Sequence, residues 1–444
     1  MSKSNPGWNG IVNWLLLLSL TTTLLMEDLT FVEFSYFYTL VAVFNFVVNM
    51  NSMLLGAMAF FELIVVVQLL FAPAIQYAFF QGSEVSNLFY INMMVTEREY
   101  FGFVVYAILM LRLFLWVGKD RLSTPIRIRG HEMRLKRFSL FLIASGLLGS
   151  IAFAILSVNA MSFVRVLAIN LIPTGLLFLH IIQIQKETSR FVLLSLPGMI
   201  FLLWFSISAL GNAMFGQLLM WFLLFVLGSF EFRPQSLARR IVFVACGFTC
   251  VLALQASKQT YRGELQLGRN SGLSTFYDAL VLGGRTLTDE SSLRFFQVNA
   301  HMRLNQGRIL SHVIEKCDRE DIRENGKRLG TNILASVVPR IIWKDKPMAG
   351  GDVNIQKYTS VNLNSNTSMN ISPLGDFYID FGPFWAIIFS GVFGFLIRSL
   401  MRSLMQLYEN DDRWLPFIPF LLSGVLVIET DFLSVLNFTV KSML

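Results

Sequence analysis

The sequence predicts an all-α polytopic integral membrane protein with about eleven transmembrane helices and one large extracytoplasmic loop that carries amphipathic helices. Composition is the first reason, because 54% of the residues are hydrophobic and only 15% are charged, whereas soluble proteins are about 25% charged. The second reason is that apolar runs of about 17 to 25 residues, enough to cross a bilayer, recur along the chain. These observations exclude a soluble enzyme, a secreted disulfide scaffold and a disordered chain.

The apolar runs divide the chain into nine predicted spans in residues 1–256, a long polar loop at 257–382 and two final spans in 383–444. The first run has no small-residue cleavage site, so it predicts a retained span rather than a cleaved signal peptide. The predicted spans lie near residues 11–26, 31–49, 53–72, 101–118, 138–157, 163–183, 189–209, 213–230, 239–256, 383–401 and 415–437.

The charge distribution predicts the orientation, because cytoplasmic loops of membrane proteins carry an excess of Lys and Arg. With the N-terminus in the cytoplasm, the first outer turn holds Glu27 and Asp28, and nine alternating spans place residues 257–382 outside. This sorting explains most of the net charge of +7, so no nucleic-acid partner is predicted. The predicted inner loops contain Lys119, Arg121, Arg127, Arg129, Arg134, Lys136, Arg137, Lys186, Arg190, Arg233, Arg239 and Arg240.

The long loop holds sixteen Lys and Arg against thirteen Asp and Glu, and long loops are exempt from the charge rule. Its cations therefore need another explanation. An amphipathic helix is predicted in it at Glu290–Cys317, with further helices at Ser271–Leu282 and Thr331–Trp343. The amphipathic helix has a polar stripe, which is either the solvated face of an interfacial helix or an anion-binding surface with a titratable group. The stripe consists of Arg294, Gln297, His301, Asn305, Arg308 and His312.

A basic corner follows between Pro339 and Pro347, with Arg340, Lys344 and Lys346 close together. Such a corner can hold a phosphate or pyrophosphate, Arg through a bidentate fork and Lys as a point charge. The alternative is a solvated turn.

A carboxylate stands at the entrance to the tenth predicted span, in the segment Pro373–Gly382. Asp376 is framed there by glycine and aromatic residues, including Tyr378, so it is placed to bind sugar hydroxyls or to act as a base. The alternative is an interfacial aromatic belt with solvated acids. Within the apolar runs, the ionisable candidates for buried polar sites are Glu33, Glu62, Arg112, Arg165, His180, Glu429 and Asp431.

The sequence predicts neither a metal site nor a cofactor. No nucleotide-binding or zinc-protease motif is present, and His301 and His312 have no third ligand at metal spacing. The three cysteines, Cys246, Cys250 and Cys317, do not form a disulfide framework or a cysteine-rich metal site.

This order of parts resembles the bacterial oligosaccharide repeat-unit polymerases of the O-antigen polymerase (Wzy) type. The resemblance rests on many spans, a large external loop late in the chain, the Pro-Arg, Trp, Lys-Pro corner, and a Gly-acid-Phe-Tyr then Phe-Gly signature from Gly375 to Gly382. An Arg, ten residues, Gly pattern is matched by Arg340 to Gly351, and also by Arg319 to Gly330. The family more often has Glu at the position of Asp376.

The resemblance implies a metal-independent glycosyltransferase in the bacterial inner membrane, with the loop at 257–382 catalytic and periplasmic or extracellular. It transfers a glycan chain from undecaprenyl pyrophosphate to the sugar of another lipid-linked repeat unit. Membrane lipid and a chain-length regulator protein are further implied partners. Arg340 and Asp376 are expected to act on pyrophosphate and acceptor hydroxyl, with His301 and His312 as alternative bases. Secondary substrate-binding candidates are Arg285, Arg294, Arg308, Lys344, Lys346 and Tyr378.

Three other functions stay open at this point. A ligase would use the same donor but transfer the finished glycan to lipid A or protein. A metal-dependent polyprenyl-phosphate glycosyltransferase would use Glu27 and Asp28 as its acid pair. A transporter would require internal symmetry and ionisable residues in the middle of its spans.

Overall fold

The computed structural model describes residues 30–84, 87, 92–117, 126, 132–156, 162–186, 196–201, 203, 215–266, 277–278, 281–282, 297–298, 300–338, 342–347, 352–361, 370–415, 417–425 and 430–443. These residues form helices and connecting turns without a strand, which confirms the predicted all-α class. The main described helices are α1 (Phe31–Asn49), α2 (Met53–Phe80), α3 (Glu97–Trp116), α4 (Glu132–Leu156), α5 (Ser162–Lys186), α6 (Phe215–Phe232), α7 (Leu237–Gln266), α8 (Gly307–Arg319), α9 (Lys327–Val337), α10 (Asp352–Tyr358), α11 (Pro373–Asn410), α12 (Phe417–Val425) and α13 (Phe432–Met443).

In the described part of the chain, six helices are long and apolar enough to cross a membrane. They are α1, α2, α3, α11 and the apolar stretches Glu132–Ala152 of α4 and Ala168–Gln185 of α5. The protein is therefore an α-helical membrane protein. The predicted span at 11–26 and most of the one at 189–209 lie outside the described residues. The count of eleven spans, the division into three parts and the orientation stay predictions.

Helices α3 and α11 pack closely because glycine allows it. A methyl group on Gly394 of α11 would overlap the backbone carbonyl of Leu111 in α3, and one on Gly391 would touch the ring of Phe114. This close approach joins the first helices of the chain to the long helix that follows the polar loop. The candidate site is built at the start of that long helix.

A buried ion pair links α2 and α3 inside the bundle. The carboxylate of Glu62 pairs with Arg112 and accepts hydrogen bonds from Trp116 Nε1 at 2.9 Å, Asn45 Nδ2 at 3.0 Å and the Tyr38 hydroxyl at 3.3 Å. These partners compensate the cost of removing the two charges from water. Glu62 and Arg112 are two of the ionisable residues predicted to form buried polar sites, and both are fully buried.

The prediction of one continuous span at 415–437 is wrong. The described residues form two helices, α12 and α13, and the ring of Phe438 lies against Gly424 and 5.8 Å from the ring of Phe420. Because a continuous helix would hold positions 424 and 438 about 21 Å apart, the chain doubles back between them. The polar residues Thr430 and Asp431 interrupt the apolar run there, and Asp431 caps α13 by accepting a hydrogen bond from Ser434 N at 2.9 Å.

The long helix α11 contains a kink at Gly382, whose φ is +72° and which precedes Pro383. A left-handed φ is readily adopted by glycine, and a proline in the helix interior removes a backbone hydrogen bond. The kink separates a first segment, residues 373–381, from the remainder of the span. The polar loop packs onto this first segment.

Candidate functional site

A buried ion pair between Arg328 and Asp376 forms the centre of the candidate site. Arg328 Nη2 lies 2.7 Å and Nε 3.0 Å from the same oxygen, Oδ1, of Asp376. The side chains are 10% and 2% exposed, respectively. Burial disfavours the charged form of Arg328, but the Asp376 carboxylate outweighs it and raises the pKa of the guanidinium above its ordinary value. Arg328 therefore carries a fixed positive charge.

Two further contacts fix the plane of the Arg328 guanidinium. Its Nη1 donates to Asn354 Oδ1 at 3.1 Å, and its Cζ lies 4.8 Å from the centre of the Tyr358 ring. A guanidinium has five N–H donors, and these side-chain hydrogen bonds to described residues use three of them. Arg328 is thus a rigidly positioned cation in the cavity wall.

Asp376 and Asp380 lie one helical turn apart on α11, and each carboxylate accepts backbone hydrogen bonds from the N-terminus of another helix. Asp376 Oδ2 accepts from Phe432 N at 2.9 Å, at the start of α13. Asp380 accepts from the backbone N–H groups of Arg328 at 3.1 Å and Leu329 at 2.7 Å, at the start of α9. The residue preceding α9 is Gly326, which has no side chain to cap the helix. Asp380 supplies that cap from a distant part of the chain.

A cavity of about 230 Å³ opens at the N-terminal ends of α9 and α13. It combines three cations, two carboxylates, amide and hydroxyl groups, and a tyrosine. Its lining residues are Glu324, Lys327, Arg328, Thr331, Asn332, Pro347, Asn354, Lys357, Tyr358, Asp431 and Leu433. Such a mixture suits a ligand that carries both hydroxyl groups and an anionic group.

Glu324, one of the two cavity carboxylates, is hydrogen-bonded to two other side chains of the cavity lining. Its Oε1 accepts from Lys357 Nζ at 2.7 Å and from the Tyr358 hydroxyl at 2.6 Å. These hydrogen bonds, from Lys357 first and Tyr358 second, lower the pKa of Glu324 below its ordinary value. The carboxylate is therefore ionised at neutral pH.

The predicted basic corner contributes little described structure to the cavity. Arg340 lies outside the described residues, as do Arg285 and Arg294 of the secondary set. Lys344 is exposed, whereas Lys346 is buried and donates to the backbone carbonyl of Val338 at 3.0 Å. The ammonium group of Lys346 therefore bonds to the backbone of its own turn, and its contact with an anion stays a prediction.

Tyr378 does not face the cavity, contrary to the expectation that its ring contacts a sugar. It is 2% exposed, its hydroxyl donates to Asp318 Oδ2 at 2.8 Å, and Arg323 Cζ lies 5.0 Å from its ring centre. Its ring packs edge-on against Phe103 at 5.0 Å. Tyr378 instead joins the polar loop to helix α3.

Three members of the polar stripe are buried, which disagrees with a solvated face at those positions, whereas Gln297 is exposed. His301, Asn305 and His312 are 7%, 2% and 8% exposed, and His301 Nε2 lies 2.7 Å from Gln76 Oε1 of α2. Burial lowers the pKa of His301 to about 4, and burial together with the nearby Arg308 lowers that of His312 to about 4. Neither histidine lines the cavity described above.

These residues are buried because the chain around Gly307 packs closely against α2 and α3. The predicted helix 290–317 is interrupted at residues 305–306, and α8 begins at Gly307. A methyl group at Gly307 would overlap the Tyr100 hydroxyl and Cγ of Pro73. Pro73 lies in α2 between two π-helical segments, Val67–Phe71 and Gln76–Phe80. This part of the polar loop therefore packs directly against an irregular part of α2.

Comparison with protein-family models, curated proteins and solved structures finds no match to this chain.

Sequence reasoning missed Arg328, Asn354 and Lys357, because their partners lie far away in the chain. Arg328 meets Asp376 across 48 positions, and no spacing pattern indicates such a pair. Asp431 carried a signal, since it is an acid within an apolar run. Within the described ranges, no three His, Cys, Asp or Glu residues come together as metal ligands do.

Proposed function

We propose that this protein is a polymerase of lipid-linked oligosaccharide repeat units at the outer face of the bacterial inner membrane. It transfers a glycan chain from undecaprenyl pyrophosphate to the sugar of another undecaprenyl-pyrophosphate-linked repeat unit. The observation that carries the proposal is the mixed-charge cavity with the buried Arg328 guanidinium in its wall. It offers cations to a pyrophosphate and amide, hydroxyl and carboxylate groups to a sugar.

In the proposed reaction, the acceptor hydroxyl oxygen attacks the anomeric carbon of the donor. The bond from that carbon to the pyrophosphate oxygen breaks, and the pyrophosphate leaves with the electron pair. Negative charge develops on the leaving group, where preorganised donors are most effective. Arg328 is held by Asp376 and Asn354 and supplies such donors, with Lys327 beside it in the cavity wall.

The proton of the acceptor hydroxyl passes to a cavity carboxylate, Glu324 or Asp431. Asp376 is the base that the sequence predicts, but both of its oxygens are hydrogen-bonded to described groups, Arg328 and Phe432 N. In the proposal Asp376 therefore acts as a positioning residue for Arg328. His301 lies in the helical turn before α8 and joins the loop to α2 through Gln76, and neither His301 nor His312 lines the cavity.

The test is a gel ladder of surface polysaccharide from cells that lack the gene and carry either the native gene, Arg328→Lys or Arg319→Lys. Arg319 is 54% exposed, so its variant is the matched control. We expect the native protein and Arg319→Lys to restore long chains, and Arg328→Lys to leave single-repeat molecules. Loss of all capped lipid A in the deletion strain would indicate a ligase instead. Normal long chains in the deletion strain would contradict the proposal.

A further inference from the structure

Helix α9 has a polarity opposite to that of a helix on a water-exposed surface. Its inward side carries polar residues, with Asn332 and Ser336 only 6% and 3% exposed. Its outward side carries Ile333, Leu334 and Val337, which are 48%, 59% and 58% exposed. These three residues and Gly330 follow the spacing of one helical face. We call this set, Gly330, Ile333, Leu334 and Val337, the outer face of α9.

Exposure of such a face to water is costly. Burying one large aliphatic side chain stabilises a protein by roughly 1.5 to 3 kcal/mol, and a surface helix in water normally turns these side chains inward. In α9 the inward positions are taken by groups that line the cavity, including Arg328, Thr331 and Asn332. The outer face is therefore suited to contact with a second apolar phase.

The position of α9 in the fold indicates which phase this is. Its N-terminus is capped by Asp380, just before the kink in α11, and it packs along the apolar helix α13. Just after the kink, α11 exposes Phe384 and Trp385, and Trp is enriched at membrane interfaces. Farther along, the same candidate span exposes Phe395 and Leu396 to 53% and 49%, much like the outer face of α9.

We propose that the outer face of α9 contacts the hydrocarbon of bilayer lipids, although it belongs to the polar loop of the chain. The same helix then presents its other side to the cavity, so that the cavity opens at the edge of the bilayer. A ligand with a hydrocarbon tail reaches Arg328 laterally and keeps its tail in the lipid. This last step rests on the proposed function, whereas the lipid contact itself does not.

The test measures the surroundings of single spin labels in purified protein reconstituted in phosphatidylcholine bilayers. Cys246, Cys250 and Cys317 are first replaced, and a nitroxide is attached at Leu334→Cys or Val337→Cys. Collision rates with oxygen, which concentrates in lipid, are compared with those of a water-soluble nickel chelate. The lipid reference is Phe395→Cys, and the water reference is Arg319→Cys. Elution as the same monodisperse species shows that each labelled variant has folded.

We expect the labels at 334 and 337 to match the reference at 395, with frequent oxygen collisions and few nickel collisions. Frequent nickel collisions, as at position 319, would overturn the proposal. Shielding from both reagents would also overturn it, because the face would then be covered by protein. The readout does not depend on activity. If the labels report lipid while the native protein never elongates glycan, the lipid contact stands and the proposed function fails.

Discussion

Arg328 and Asp376 are 48 positions apart in the chain, yet Arg328 Nη2 lies 2.7 Å from Asp376 Oδ1 with both side chains buried. This contact joins the polar loop to the start of α11. It also holds Arg328 in place, and among the described cations that line the cavity Arg328 alone is not exposed. The stability of the site and its proposed chemistry therefore depend on the same pair.

Asp376→Asn removes the charge that compensates Arg328 and is expected to destabilise the protein. Loss of one partner from a buried ion pair costs about 3 to 5 kcal/mol. The measurement is the apparent melting temperature in detergent, with Asp321→Asn as the control because Asp321 is exposed. We expect a clear decrease for Asp376→Asn and no change for Asp321→Asn; equal melting temperatures would show that the pair contributes no stability.

Gly307→Ala is expected to destabilise the packing of α8 on α2, although alanine is the better helix former. The added methyl group would overlap Tyr100 and Pro73. Gly330→Ala is the matched control, since a methyl group there meets no atom within 4 Å and should be neutral or stabilising by up to about 1 kcal/mol. Thermal unfolding of both variants checks this, and a stabilised Gly307→Ala would contradict the described packing.

Glu62→Gln should be strongly destabilising because it leaves the buried Arg112 without its counter-charge. The double variant Glu62→Gln/Arg112→Gln should recover part of that loss, since no uncompensated charge then stays buried. A double-variant cycle on melting temperature measures the coupling. Strictly additive losses would mean that the two side chains do not interact.

His301, like His312, should lower protein stability as the pH falls from about 6.5 to 4. Its pKa is lowered by burial from 6.5 to about 4 in the folded protein, so the unfolded chain takes up the proton first as the pH falls. The stabilising contribution is complete above pH 6.5 and is lost toward pH 4. The melting temperature of His301→Gln should show a shallower pH dependence than that of the native protein; parallel curves would refute the assignment.

The fold class could be predicted from the sequence because apolar length and charge depletion are local properties. The carboxylate of Asp376 could be found as well, because it stands at the boundary between polar loop and apolar run. Arg328 could not be found, since an ion pair across 48 positions depends on how the loop folds back onto α11.

The polar stripe shows a second limit of prediction from sequence. A helical wheel gives the polar side of a helix but not what covers it, and α8 is buried both against α2 near Gly307 and against α11, where Leu310 lies near Gly375. The break in the last apolar run could have been suspected from Asp431 and its neighbours. The reversal of direction there could not, because it depends on the contact between Gly424 and Phe438.

The most direct test of the central claim is elongation of lipid-linked repeat units by the purified protein in bilayers, without nucleotide sugar. The native protein and Arg319→Ala should lengthen undecaprenyl-pyrophosphate-linked repeats and release undecaprenyl pyrophosphate. Arg328→Ala should lose at least about 100-fold in rate, the effect typical of removing one preorganised donor to a developing anion. Elongation by Arg328→Ala at the native rate, or no elongation by the native protein on repeat units that another polymerase accepts, would contradict the account.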